Sequence, residues 1–322
     1  MKLRGIDFGN VFNASGARGF GGEGYWFHTI AKKFGLTYEG STFVSKTTTL
    51  EAREGNMPLD RFLQPKDKMP DCIVVKPFKG VVLNAVGLSG PGASGLRGAW
   101  DPRMMSAHYG EKIPFVISFM SVDSSVEDRK KELRLFVSRL GSGMKNERIA
   151  LQLNFSCPNV GMDPTNLIKD VRASMREVEG LPNPIMVKLN ALVPPEVACE
   201  LADTRVIDAI VCSNTIPWGK LPEKIDWEGL FGSKTSPLKK YGGGGLSGAP
   251  LLPIVAEWIQ TCNDLGIMKP IVGCGGVLSK KDADRLIDSG ADAIELGSVS
   301  ILRPWRVAGI IDHINERFRT DY

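Results

Sequence analysis

The chain is short of the residues that build metal centres. Its six cysteines (Cys72, Cys157, Cys199, Cys212, Cys262 and Cys274) contain no CxxC pair. Its three histidines stand in no ligand spacing with them, which argues against zinc, iron–sulfur or any other metal site within the chain. No run of 18 apolar residues occurs, so no membrane span is expected. The opening Met1-Lys2-Leu3-Arg4-Gly5 lacks the apolar core of a signal peptide. Excess charge is also missing: 40 Lys and Arg against 36 Asp and Glu leave a net +4, with no arginine–aromatic stripe, which disfavours a dedicated nucleic-acid binder. No Gly-x-Gly-x-x-Gly follows the first strand in a dinucleotide-binding context, which weighs against an open doubly wound sheet. The expectation is a soluble cytoplasmic protein whose cysteines other than Cys157 are structural thiols. Arg129-Lys130-Lys131 reads as a solvated helix face.

What is present is ample material for a core. Hydrophobic residues make up 43% and charged residues 24% of 322, a globular composition at a length normal for one α/β barrel. A unit recurs along the chain: a short β-rich run, a polar or glycine-rich tip, then an amphipathic helical stretch. The spacing predicts strands at Val11–Ala14, Thr42–Ser45, Phe115–Phe119, Ile149–Leu153, Ile185–Leu189, Ala209–Cys212, Pro270–Gly273 and Ala293–Leu296. Helices are predicted at Ser125–Leu140, Thr165–Glu179, Pro195–Asp203, Leu251–Leu265, Lys280–Ser289 and Arg303–Phe318. With no obvious linker, residues 1–322 read as a single (β/α)₈ TIM barrel domain, with its active site at the C-terminal ends of the strands.

The strand tips carry the functional argument. They read Ser15-Gly16, Lys46, Ser118, Asn154, Lys188, Asn214, Gly275-Gly276 and Gly297-Ser298. The fourth is the richest: Asn154-Phe155-Ser156-Cys157-Pro158-Asn159 crowds a thiol, a hydroxyl and two carboxamides where a strand should end. Pro158 cannot donate to a ladder, so a loop is expected there. A cysteine in such a loop can serve as nucleophile or base, and flanking amides can read a flat polar substrate; taken alone, one cysteine is more often a small buried filler. The glycine pairs after the last two strands, with Gly242–Gly245 and Ser247-Gly248 before them, suit the phosphate of a nucleotide-like cofactor. Tight turns would use the same residues. Lys188 on a strand fits either a flavin-ring cation or the Schiff-base lysine of a flavin-free lyase barrel.

These residues resemble the dihydroorotate dehydrogenases, from about Asn13 to Phe318. The resemblance rests on Asn13-Ala14-Ser15-Gly16, Ser45–Glu51, Arg53-Glu54-Gly55-Asn56, Leu83–Leu88, Asn154–Asn159, Val187-Lys188-Leu189, Asn214-Thr215, Gly245–Gly248 and Ile271–Val277 in one order. It implies an FMN-dependent oxidation of dihydroorotate to orotate in pyrimidine biosynthesis. Cys157 then looks like the base that removes the C5 proton while C6 passes hydride to the flavin. Asn84, Asn154, Asn159 and Asn214, with Thr215, look like readers of the pyrimidine edge. Lys46 and the Val86-Gly87-Leu88 backbone look like the carboxylate pocket. Ala14, Ser15, Gly16, Lys46, Thr47, Asn154, Lys188, Ser213, Gly248, Gly275, Gly276, Gly297 and Ser298 look like flavin contacts.

Departures from the family pattern narrow the class. Membrane-associated members carry serine at the Cys157 position and an extra amino-terminal segment; this chain has neither, which favours the cytosolic classes and a homodimer. Leu83–Leu88 and Gly19-Phe20-Gly21 look like the class that passes electrons to NAD through a partner subunit, whereas Val160–Pro164 looks more like the fumarate users. Gly55–Arg61 departs from the usual spacing near the substrate loop. The nearest rival is a dihydropyrimidine oxidoreductase acting on uracil-like rings, against which Asn159 speaks, since that family has histidine after the Cys-Pro pair. His28, His108 and His313 read as structural or exposed, Trp218, Trp227 and Trp258 as outer packing, and Cys274 as a small filler.

Overall fold

The structure, a computed structural model, describes residues 1–95, 113–145, 148–155 and 164–320. Eight parallel strands form the centre: β1 (Val11–Asn13), β2 (Phe43–Val44), β3 (Phe115–Phe119), β4 (Ile149–Asn154), β5 (Ile185–Leu189), β6 (Ala209–Cys212), β7 (Ile271–Cys274) and β8 (Ala293–Leu296). They pair in the order β1-β8-β7-β6-β5-β4-β3-β2. A parallel bridge from Phe12 to Thr42 closes the ring, with the Asn13 amide donating to the Thr42 carbonyl (3.2 Å) and the Thr42 amide to that of Val11 (2.8 Å). Closure leaves no open sheet edge, and the result is a (β/α)₈ barrel.

Alternation along each strand splits the apolar residues into two cores. Phe12, Val44, Val116, Ala150, Met186, Val211, Val272 and Ala293 fill the interior. Leu3 and Phe8, on and just after the hairpin Lys2–Leu3/Ile6–Asp7, join them from the N-terminal ends of the strands. The opposite faces, such as Phe115, Ile117, Leu151 and Val187, pack under the helices with Val255, Ile259, Ile310 and Ile314. Each side chain so buried contributes about 1.5–3 kcal/mol.

Among the described residues the helices of seven residues or more are α1 (Trp26–Lys32), α2 (Val126–Lys145), α3 (Pro164–Val178), α4 (Pro195–Ala202), α5 (Leu251–Asp264), α6 (Lys280–Asp288) and α7 (Val307–Thr320). Two ends differ from expectation by more than two residues. The helix expected from Arg303 starts at Val307, because Pro304–Arg306 forms a 3₁₀ turn and a short helix, Val299–Leu302, precedes it. Helix α2 runs on to Lys145. Nor is Arg129-Lys130-Lys131 wholly solvated. Arg129 is buried and pairs with Asp170 of α3 at 3.0 Å, while its Nη1 donates to the carbonyls of Asp123 and Ser124. Among the described residues no helix is long and apolar enough to cross a membrane.

A four-stranded antiparallel sheet, absent from the sequence-based expectation, connects the loop after β2 to the loop after β6. Its order is Ile216–Pro217, Gly245–Gly248, Val81–Asn84, Ile73–Lys76. The signal was local: two β-rich runs flank Pro77-Phe78-Lys79-Gly80, a turn with Gly80 in the left-handed region (φ 69°).

Candidate active site

The polar residues collect at the C-terminal ends of the strands. Hydroxyls link the first three tips: Ser15 Oγ lies 2.8 Å from Thr47 Oγ1, which lies 2.9 Å from Ser118 Oγ. Lys46 follows β2, is buried, and donates from Nζ to the Ser89 carbonyl while lying 4.7 Å from the centre of the Phe20 ring. Among the described residues no carboxylate pairs with it, and burial pulls its pKa down to about 8, although the charge of Glu23 acts the other way.

Ser89 ends the Val86-Gly87-Leu88 loop, so the ammonium and this backbone belong to one pocket. The loop is pinned from outside. The Asn56 amide donates to the Val86 carbonyl (2.9 Å), Asn56 Nδ2 to that of Ala85 (2.7 Å), and the Met57 amide to Ser89 Oγ (3.1 Å). Gly55 lies so close that a Cβ there would fall 2.3 Å from Ser89 Oγ. The segment whose spacing departed from the family pattern thus clamps the Val86–Leu88 loop.

The asparagines meet through two elements. Asn214 Nδ2 donates to Asn154 Oδ1 at 3.2 Å, joining the ends of β6 and β4. The turn carrying Asn214 is held by Ser213 Oγ, which accepts from the Ala191 amide (3.1 Å), and by Asn190 Nδ2 donating to the Thr215 carbonyl (2.7 Å). Asn84 sits opposite Gly245 in the antiparallel sheet, and a Cβ at Gly245 would lie 2.1 Å from Thr215 Oγ1. The extra sheet therefore brings Asn84 to Thr215. Cys157 and Asn159 lie outside the described residues, as does His108; β4 ends at Asn154.

Below these groups the barrel interior holds a charged pair. Lys188 Nζ lies 2.6 Å from Glu295 Oε2 and 3.7 Å from Cys274 Sγ, and Gln152 Nε2 donates to Glu295 Oε1. Burial alone would lower the Lys188 pKa, but the Glu295 carboxylate 2.6 Å away outweighs it and holds it above the ordinary lysine value. Burial pushes the Cys274 thiol up to about 12, so it is neutral at pH 7 and packs as a filler. Sequence reasoning missed Gln152 and Glu295. Their signal was a polar residue inside an apolar strand, on the face that period-2 alternation turns inward.

The glycine loops gather on one side. Gly248 (φ 110°) and Gly276 (φ 76°) occupy backbone that other residues rarely adopt. A Cβ at Gly276 would lie 2.4 Å from the Leu252 amide nitrogen, and one at Gly248 would lie 2.1 Å from the Gly80 carbonyl oxygen. These contacts draw the loop after β7 against the start of α5. Gly275 precedes Gly276, and Gly297-Ser298 leads from β8 into the short helix Val299–Leu302, where a Cβ at Gly297 would lie 3.2 Å from that of Ala14. Gly16, beside them, accepts from the Tyr25 hydroxyl (2.7 Å). Loops after strands seven and eight with a short extra helix are a common phosphate seat in barrels.

Other polar residues are structural. His28 is buried and held neutral, its pKa pulled down to about 4 by burial. His313 pairs with Asp284 at 2.8 Å. Trp218 packs on Trp227 (4.8 Å between ring centres), and Trp258 donates to the Val193 carbonyl.

The family model for dihydroorotate dehydrogenase matches residues 1–318. The chain belongs to the dihydroorotate dehydrogenase family. It is 28% identical over 324 residues to the dihydroorotate dehydrogenase B (NAD(+)) catalytic subunit of Caldicellulosiruptor saccharolyticus, spanning 98% of this chain and 92% of that one. It is 30% identical over 312 residues to a Pediococcus pentosaceus protein provisionally named dihydroorotate dehydrogenase A (fumarate), spanning 94% and 88%. In fold it matches a crystal structure of the Eimeria tenella dihydroorotate dehydrogenase in complex with ferulenol, with a TM-score of 0.71 at 18% identity over 100% of this chain and 84% of that one.

The family's cofactor is FMN, and the residues present suit it. The glycine loops leave backbone approachable for a phosphate. The buried Gln152 Oε1 has no hydrogen-bond partner among the described residues, which leaves an acceptor for an N–H donor.

Proposed function

We propose that this chain is an FMN-dependent dihydroorotate dehydrogenase that oxidises dihydroorotate to orotate in pyrimidine biosynthesis. The observation that carries the reading is the convergence of Lys46, Asn84, Asn154 and Asn214 on one barrel mouth above the buried Lys188. Bound FMN supplies a two-electron acceptor for the substrate's C5–C6 bond. Lys46 and the Val86–Leu88 backbone hold the carboxylate, an anion seat made of one cation and a run of N–H donors. The carboxamides of Asn84, Asn154, Asn159 and Asn214 offer donors and acceptors to the ring edge, beside Thr215. Cys157 takes the proton from C5; an ordinary thiol pKa near ~8.5 leaves only a few per cent thiolate at pH 7, so the rate should climb with pH. Ala14, Ser15, Gly16, Thr47, Ser213, Gly248, Gly275, Gly276, Gly297 and Ser298 would hold the cofactor, and Lys188 would supply a cation to its ring.

Reoxidation falls to fumarate, or to NAD through a partner subunit, in a homodimeric assembly. The deciding experiment mixes the yellow protein anaerobically with dihydroorotate and follows flavin bleaching and orotate absorbance. One orotate per flavin is expected, with little bleaching by dihydrouracil. A colourless protein, or equal bleaching by dihydrouracil, would overturn the assignment. Steady-state turnover with fumarate, NAD or a dye then identifies the acceptor.

A further inference from the structure

Lys188 does not stand alone under the flavin site. Glu295 holds its ammonium at 2.6 Å, and the carboxylate has 0% side-chain exposure. The two come from β5 and β8, which are not neighbours in the ring, so the pair spans the barrel interior. Gln152 of β4 fixes the other carboxylate oxygen. The third group in contact, Cys274, is a neutral thiol near pH 7 and adds no charge. Buried ion pairs are costly to assemble, and apolar residues of similar volume often serve stability as well or better. β8 is otherwise apolar, Ala293-Ile294-Glu295-Leu296, so a charge here calls for a role beyond packing.

The charge reaching a group above the pair is what Glu295 changes. An unpaired lysine offers a full positive charge, which stabilises a ring gaining electrons. A lysine with a carboxylate 2.6 Å away offers a dipole, whose field falls off faster with distance. We propose that Glu295 is a positioning residue that sets the flavin's reduction potential, cancelling much of the Lys188 charge so that the reduced cofactor is a stronger reductant than a lone lysine would leave it. The inference rests on the reading that Lys188 faces the flavin.

The test measures the FMN reduction potential of the holoenzyme by equilibration with a reference dye. Glu295→Gln keeps size and hydrogen bonding but removes the counter-charge. It should shift the reduction equilibrium toward reduced flavin by tenfold or more, about 30 mV positive for a two-electron couple. Glu295→Asp, which draws the carboxylate back by one methylene, should shift it the same way by less, and serves if Glu295→Gln fails to fold. In Lys188→Gln the potential should fall or FMN should be shed, and adding Glu295→Gln to that variant removes the stranded carboxylate charge and should raise the potential again. A Lys188→Gln protein with wild-type potential and FMN content would show that the lysine does not face the flavin, and the underlying reading would fall. If Lys188→Gln behaves as expected while Glu295→Gln and Glu295→Asp leave the potential unchanged or lowered, the role assigned to Glu295 is wrong and that of Lys188 stands.

Discussion

Lys46 and Lys188 are the same residue, both buried and both at the ends of barrel strands, yet the protein treats them oppositely. At the mouth, Lys46 rests on a carbonyl and an aromatic face, and burial pulls its pKa down to about 8. On the floor, Lys188 has Glu295 at 2.6 Å, and its pKa is held above the ordinary value. A buried ammonium without a counter-charge is an open anion seat that a substrate carboxylate can complete. A buried ammonium with one is a finished internal pair, its charge permanent and largely spent. The mouth should therefore govern substrate, and the floor should govern cofactor and fold.

The largest expected effect tests that division from the mouth. Cys157→Ser should slow flavin reduction by dihydroorotate ~10²–10⁴-fold at neutral pH, the usual range for a general base, while leaving FMN bound. Stopped-flow bleaching checks it. Loss of FMN in this variant would mean that mouth and floor are not separable.

One substitution made in both places sharpens the contrast. Lys188→Met strands the Glu295 carboxylate in the interior, so unfolding free energy should drop by about 3–5 kcal/mol. Lys46→Met strands no close buried carboxylate and should stay within about 1 kcal/mol of wild type. Urea unfolding of the two apoproteins decides it. Equal losses would show that Lys46 has a structural counter-charge after all.

Lys46→Met should instead weaken orotate. Removing one partner of a buried charged contact costs ~2–5 kcal/mol, well over tenfold in Kd. Uracil, without the carboxylate, should bind the variant as it binds wild type. Titration of the flavin spectrum with both ligands checks this, and wild type that binds uracil as tightly as orotate would remove the carboxylate pocket.

Why the mouth was legible in the sequence and the floor was not follows from where the polar residues sit. Strands β3, β5, β6 and β8 match expectation to the residue, because short β-rich runs buried on both faces stand out between polar tips. Asn154 ends such a run, Lys46 and Asn214 follow one, and Lys188, one position before the end of β5, was found because a lysine stands out in an apolar strand. Gln152 lies two positions before the end of β4 and Glu295 one before the end of β8, and both were passed over because those tips were read at Asn154 and at Gly297-Ser298. The pairing of Lys188 with Glu295 joins residues 107 apart on strands that are not adjacent, which no local pattern encodes. The extra sheet was missed because Leu83–Leu88 was read as a motif, although Ile73–Lys76 and Val81–Asn84 flank a turn.

The smallest effect, within about tenfold per pH unit, asks whether the mouth titrates as a lone buried lysine should. Lys46 has its folded pKa lowered from the ordinary 10.5 to about 8, so its charge is nearly complete below about pH 7 and is lost as pH rises through 8. Orotate binding favours the charged form, so affinity should be level up to about pH 7 and decline above pH 8. On the proposed reading Cys157 faces the ligand too, and a thiolate there would also repel it. The measurement therefore belongs in the Cys157→Ser background, where the decline should persist, and in Cys157→Ser/Lys46→Met, where the weaker affinity should be level across the same range. A decline that disappears with Cys157 alone would assign the titration to the thiol, and Lys46 would then hold its charge as firmly as Lys188 does.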